Sequence, residues 1–232
     1  MEELKFWNLA TSPPFEKTDK KTMIEPIIFS YQESQICVLH NTYTSEELLH
    51  QFDYPDKYIH EMSKLQNEHR KREFLGLRLA LKYCCNGVEK AILHTSTGKP
   101  FVEDNRVKIS FSHSREWIAV MIHPLMEVGV DIEQPTEKLK NIADRFLGNE
   151  EKSDFKTADN LDYLRIIWSA KEALYKIIGN DAYNFSAKLR VFPFNLKQNG
   201  ELKVVYTDTG KIFEVHYMLN KQFTLAYCID NE

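Results

Sequence analysis

The chain has 232 residues, 43% of them hydrophobic and 12% aromatic, which suits one large packed unit or two small ones and excludes a disordered polar chain. Thirty basic residues against 34 acidic ones leave a formal net charge of −4, without the basic excess of a duplex-DNA binder, so phosphate binding must come from a local cluster. No stretch approaches about 18 apolar residues and the opening MEELKFWNLATSPPFEK has no signal-peptide core, so the expectation is a cytoplasmic protein that uses neither membrane nor nucleic acid.

In chain order, residues 1–24 are polar and hold Pro13 and Pro14, as a loosely held arm would. PIIFSY (26–31) and QICVLH (35–40) are β-rich runs around a polar turn, a hairpin pattern. Thr44, Ser45, Glu46 and Glu47 read as a helix start. Over 67–83, Phe74, Leu75, Leu77, Leu79, Ala80 and Leu81 follow helical spacing, with Arg70, Lys71, Arg72 and Arg78 on much of the other face. AILHT (91–95), VKISFS (107–112), WIAVMIH (117–123) and EVGVDIE (127–133) are strand-like. Helical patterns return over 138–147 and 160–178, and the tail from 188 is strand-rich (KLRVF, ELKVVY, KIFEVHY, QFTLAYCI). The two halves echo each other loosely, without a repeat, and a boundary near residues 123–124 gives subdomains 1–124 and 125–232. Cys37, Cys84, Cys85 and Cys228 include no C-x-x-C pair and read as reduced packing thiols.

Three segments carry chemistry. In VGVDIE (128–133), Asp131 and Glu133 alternate with Val130 and Ile132, so a strand projects both acids from one face. Paired acids raise each other's pKa unless a cation such as magnesium compensates. By itself the segment also reads as a strand end with two solvated acids. In WSAKEALYK (168–176), Trp168, Glu172 and Lys176 form one i, i+4, i+8 helix stripe. A surface ion pair is the plain alternative, though a tryptophan heading the stripe argues against full solvation. In GKP (98–100) and SFSHS (110–114) there is neither a P-loop nor a G-x-S-x-G elbow. Ser112, His113 and Ser114 end a strand pattern, where polar groups face a ligand or simply hold the local structure.

In order, GKP (98–100), SFSHS (110–114), VGVDIE (128–133), RFLGNEE (145–151) and WSAKEALYK (168–176), with a weaker EFLGLR (73–78) upstream, resemble the 4'-phosphopantetheinyl transferase superfamily, in its monomeric, surfactin-synthetase-activating type. The resemblance covers about a third of the chain. It implies an α+β fold in which two similar subdomains, each with a small antiparallel sheet and packed helices, form a pseudo-dimer around a ligand cleft. It implies transfer of the phosphopantetheine arm of coenzyme A to a serine of an apo acyl or peptidyl carrier protein, with 3',5'-ADP leaving and Mg2+ required. Asp131, Glu133 and Glu172 then match the family's metal ligands, with Glu172 the first choice of base. Lys176 and His113 match phosphate contacts, and Lys99, Pro100 and Arg78 match residues around the nucleotide end of coenzyme A. Arg72 and Lys71 are candidates for the same basic patch, and Ser112 for a phosphate donor. Segment 134–160 is a candidate dock for the carrier. After Lys176 the family's Gly-x-Gly turn gives way to Ile177, Ile178, Gly179, Asn180 and Asp181. A metal-dependent phosphoesterase, a non-catalytic coenzyme A binder and a purely structural domain are the competing readings.

Overall fold

The computed structural model describes residues 23–155 and 160–231; all but the last two residues of the arm expected over 1–24 lie outside the described residues. Strands β1 (Ile27–Tyr31) and β2 (Ser34–His40) form the expected hairpin, pairing Ile27 with Val38 and Tyr31 with Ser34. Helix α1 (Ser45–Leu49) starts on a capping box in which the Thr44 hydroxyl accepts from Glu47 N and the Glu47 carboxylate accepts from Thr44 N. Helix α2 (Asp56–Ser63) follows, and α3 (Glu68–Cys84) opens on Asn67, whose side chain accepts from Arg70 N. Strands β3 (Ile92–His94) and β4 (Pro100–Val102) make a separate two-stranded ribbon, with Pro100 at the first position of its strand, where a missing N–H is tolerated. Strands β5 (Lys108–Ser114) and β6 (Trp117–His123) complete a first antiparallel sheet ordered β1-β2-β6-β5.

Strand β7 (Val128–Glu133) begins a second sheet. After it come α4 (Lys138–Phe146), α5 (Asn149–Phe155), the long α6 (Leu161–Ile178) and the short α7 (Phe185–Lys188). Strands β8 (Leu189–Val191), β9 (Asn199–Tyr206), β10 (Lys211–Leu219) and β11 (Thr224–Ile229) close the chain, and the antiparallel order is β7-β11-β10-β9-β8. The fold is thus mixed α+β with antiparallel sheets.

Each sheet buries one face under a helix and part of the other against its partner sheet. Leu75, Leu79 and Leu81 of α3 pack with Cys37, Leu39, Ile118 and Val120 on one face of the first sheet. Leu164, Ile167, Ala170 and Leu174 of α6 pack with Val204, Val215, Tyr217 and Ala226 on one face of the second. The opposite faces meet in a seam of Ile36, Val38, Trp117 and Met121 against Val130, Ile132, Phe223 and Leu225. The layers therefore run helix, sheet, sheet, helix, and β5 and β7 lie side by side at the rim of the seam. All four cysteines are free; Cys37, Cys84 and Cys228 are buried, and burial pushes the partly exposed Cys85 thiol up to about 11. Among the described residues no helix is long and apolar enough to cross a membrane.

Candidate active site

The alternation of β7 sends Val128, Val130 and Ile132 into the seam, and Gly129, Asp131 and Glu133 to the face covered by α6. At Gly129 the contact is backbone on backbone: a Cβ there would lie 2.0 Å from the Ala173 carbonyl oxygen. Only glycine lets α6 cross this close, and the crossing delivers Glu172 and Lys176 to the acid strand. Lys176 Nζ donates to Asp131 Oδ1 at 2.9 Å and to the Val130 carbonyl at 2.7 Å. From the neighbouring edge, β5 supplies a serine at every second position. The Ser112 hydroxyl donates to Asp131 Oδ1 at 2.8 Å, and Ser114 donates to Glu133 Oε2 at 2.8 Å. Ser110 accepts from Val130 N. Trp168, one turn before Glu172, donates its indole N–H to Glu133 Oε1 at 3.3 Å.

The three acids feel one another. Burial pushes the Glu172 carboxyl up to about 7, Asp131 and Glu133 add to the rise, and Lys176 opposes it. Burial and then Asp131 also raise Glu133, against the hydrogen bonds from Ser114 and Trp168. Asp131 is 3% exposed, and its Oδ2 is buried without a hydrogen-bond partner. No hydrogen bond engages the Glu172 carboxylate among the described residues. An all-oxygen set with an orphaned lone pair and mutually repelling charges fits a hard divalent cation. The acids are not drawn tight: among the described residues the trio whose ligand atoms gather within 4.8 Å is Glu201, Glu214 and His216. That trio lies on the opposite face of the second sheet, since Val215 and Tyr217, which alternate with its β10 members, face α6.

The other expected residues distribute around this centre. His113, between the two serines, turns the other way, and its Nδ1 lies 3.2 Å from Glu73 Oε1 on α3. Arg72, Glu73 and His69 of α3 line a cavity of ≈ 320 Å³ with Asn41, Arg115, Glu116 and Gln134. Gln134 directly follows Glu133, so this cavity abuts the acid strand. Arg72 is anchored there, its guanidinium donating to the Asn41 carbonyl while Asn41 Nδ2 donates to the Arg72 carbonyl at 2.9 Å. Lys99 and Pro100 line a second cavity of ≈ 320 Å³ with Lys108 and Glu127. There Lys99 and Lys108 lie 2.8 and 3.0 Å from Glu127; burial would raise that carboxyl, but the two ammoniums outweigh it and hold it below the usual range. Arg78 is not brought to either cavity: its guanidinium stacks 3.4 Å from the Phe74 ring centroid and donates to the Phe74 carbonyl. Lys71 is half-buried on the same helix. Past Lys176 the helix runs on to Ile178 and stops at Gly179, whose φ of +83° lies in the left-handed region.

Several contacts around the site escape a reading by sequence. Ser114 and Trp168 hold Glu133, a role signalled only by their period-two and i+4 spacing to residues that were already candidates. Glu73 sits in EFLGLR without advertising its contact to His113. Lys171, next to Glu172, is fully buried and donates to the Phe146 carbonyl and to Glu151 at 2.6 and 2.7 Å. It ties α6 to α5 beneath the site.

The chain is similar to known proteins in two ways. A protein of Haemophilus influenzae named "Putative 4'-phosphopantetheinyl transferase" is 29% identical over 143 residues, a match to 56% of this chain. The chain spans 60% of the length of that curated relative. Residues 127–228, the segment that carries Asp131, Glu133, Glu172 and Lys176, match the 4'-phosphopantetheinyl transferase superfamily.

Proposed function

We propose that the protein transfers 4'-phosphopantetheine from coenzyme A to a serine of an apo acyl or peptidyl carrier protein, with Mg2+, releasing 3',5'-ADP. In this reading it is a cytoplasmic monomer of the surfactin-synthetase-activating type, a pseudo-dimer of subdomains 1–124 and 125–232. The observation that carries the reading is the meeting of β7 and α6. It places Asp131, Glu133 and Glu172 within electrostatic reach of one another, with Lys176 on Asp131.

Asp131, Glu133 and Glu172 would hold the magnesium ion, which supplies charge neutralisation on the pyrophosphate and on the departing phosphate. The carrier serine oxygen attacks the phosphorus that bears the pantetheine arm, and the bond from that phosphorus to 3',5'-ADP breaks. The serine hydroxyl is a poor nucleophile near neutral pH and must give up its proton as the new bond forms. Glu172, directly or through a water held at the metal site, is the first choice to take it, since it lies beside the acids of β7 and carries no competing hydrogen bond among the described residues. Lys176 lies one helical turn further on, with an ammonium that already bridges Asp131 and the Val130 carbonyl. It orients the acid strand and donates to the phosphate oxygens. His113 is a second phosphate donor from β5. Ser112 serves by holding Asp131, and by a phosphate contact if its hydroxyl turns. Arg72 lies in the cavity beside the acids, and Lys99 and Pro100 lie in the second cavity. These are the groups for the nucleotide end of coenzyme A; Arg78, stacked on Phe74, is not among them. The carrier docks over the segment 134–160, where α4 and α5 lie; residues 156–159 of it are outside the described residues.

The direct test is incubation with coenzyme A, Mg2+ and apo carriers of several types, read by mass spectrometry. Transfer adds the mass of phosphopantetheine to the carrier. A carrier left unmodified while coenzyme A is hydrolysed points to a phosphoesterase instead. Asp131→Ala and Glu172→Ala should keep the wild-type circular dichroism spectrum and lose transfer by at least about a hundredfold. Wild-type turnover by either variant rules out these roles.

A further inference from the structure

The cavity next to the acid strand contains a carboxylate that an anion-binding site would ordinarily avoid. Glu73 is 8% exposed and lines this cavity with Arg72 and Arg115. A bare buried acid there would repel phosphate. Its oxygens are instead fully engaged by cationic or titratable groups. Glu73 Oε2 accepts from Arg70 Nη1 at 3.1 Å, while Oε1 lies 3.2 Å from His113 Nδ1 and 3.4 Å from His69 Nδ1. Arg70 and His69 are on the same helix as Glu73, but His113 comes from β5, next to the serines that hold Asp131 and Glu133. Glu73 is therefore the link between α3 and the strand end that faces the acids.

We infer that Glu73 is a positioning residue that acts through His113. Its carboxylate accepts a hydrogen bond from the Nδ1–H of His113 and fixes the ring, so that Nε2 is the nitrogen turned to the ligand. When both nitrogens carry protons, the imidazolium is held between two anions, Glu73 on one side and a phosphate oxygen of coenzyme A on the other. The phosphate part of this inference rests on the functional reading above; the orientation of the ring does not.

The test has two arms. Nitrogen NMR of histidine-labelled protein without ligand reads the tautomer of neutral His113. It should carry its proton on Nδ1 in the wild type and lose that preference in Glu73→Gln. A wild-type ring protonated on Nε2 overturns the inference, whatever the protein catalyses. In the transfer assay, Glu73→Gln and His113→Ala should each raise the KM for coenzyme A roughly tenfold, with kcat changed less than about twofold. The double variant should be no worse than His113→Ala alone. Additive losses, near a hundredfold in the double variant, overturn the coupling. Glu73→Asp, which keeps the charge, separates this role from packing: it should fall between wild type and Glu73→Gln. If it is as impaired as Glu73→Gln while the NMR tautomer is unchanged in both, Glu73 serves packing and the inference fails. Absence of transfer by the wild type, with the Nδ1 tautomer present, would count against the transferase reading alone.

Discussion

A carboxylate at 3% exposure needs its charge answered, and in Asp131 one oxygen is met by Ser112 and Lys176 while the other has no partner. Its neighbours Glu133 and Glu172 respond by holding on to protons, Glu172 up to about 7. Both acids are raised, so between about pH 4.5 and 7 the folded protein without divalent ion binds more protons than the unfolded chain. Its stability falls as pH rises through that window, by on the order of 3 kcal/mol from Glu172. Millimolar Mg2+ should therefore raise the melting temperature at pH 8 and do little at pH 5, where protons already quench the repulsion. Glu172→Gln should flatten the fall in stability and weaken the Mg2+ response. Thermal melts in chelator and in MgCl2 at the two pH values check this; equal shifts at both, or none at pH 8, would count against a cation between these acids.

At the scale of elements, the Trp168, Glu172 and Lys176 stripe of α6 is held from behind. Lys171 is fully buried, its ammonium shared by Glu151 and by the carbonyls of Phe146 and Phe185. Burial pushes Lys171 down, to about 8, against the pull of Glu151. Lys171→Ala leaves Glu151 charged and unpaired in the interior and should cost about 3–5 kcal/mol in a urea titration. Removing both charges, as Lys171→Met with Glu151→Leu, should recover only part of this. Glu151 also accepts from Gly148 N and Val191 N, and both donors would be stranded. Full recovery would mean that the pair is only a pair and not the knot of α5, α6 and β8. The sequence conveys this level unevenly. The long elements are legible because α3 and α6 keep a helical period over four turns and β5, β6 and β7 keep an unbroken strand pattern. The short α2, α5 and α7 are not, since fewer than three turns offer too little periodicity and are fixed by packing instead.

At the scale of the whole molecule, the seam decides whether the site exists. It joins the hairpin and β6 to β7 and β11 through Ile36, Val38, Trp117 and Met121 against Val130, Ile132, Phe223 and Leu225. Trp117 and Phe223 meet across it with ring centroids 4.6 Å apart. Leu225→Ala should lower stability by about 2–5 kcal/mol. If the two sheets unfold together, far-UV circular dichroism and tryptophan fluorescence, with Trp117 on one side and Trp168 on the other, should still report one transition. Separate transitions would mean that the halves are independent units.

By itself the sequence determined the local chemistry: which residues alternate on β7, which share a stripe on α6, where the long elements begin, and the resemblance of five ordered blocks to one family. These are short-range properties, set by periods of 2 and 3.6 residues and by capping side chains. Only the tertiary structure decided the company each group keeps. The approach of α6 onto Gly129, the serines of β5 on the acids, the contact of Glu73 with His113 and the stacking of Arg78 on Phe74 away from the cavities all join residues distant in the chain or turn on which face is buried. No local period encodes such contacts; close packing of two sheets and two helices around one seam selects them.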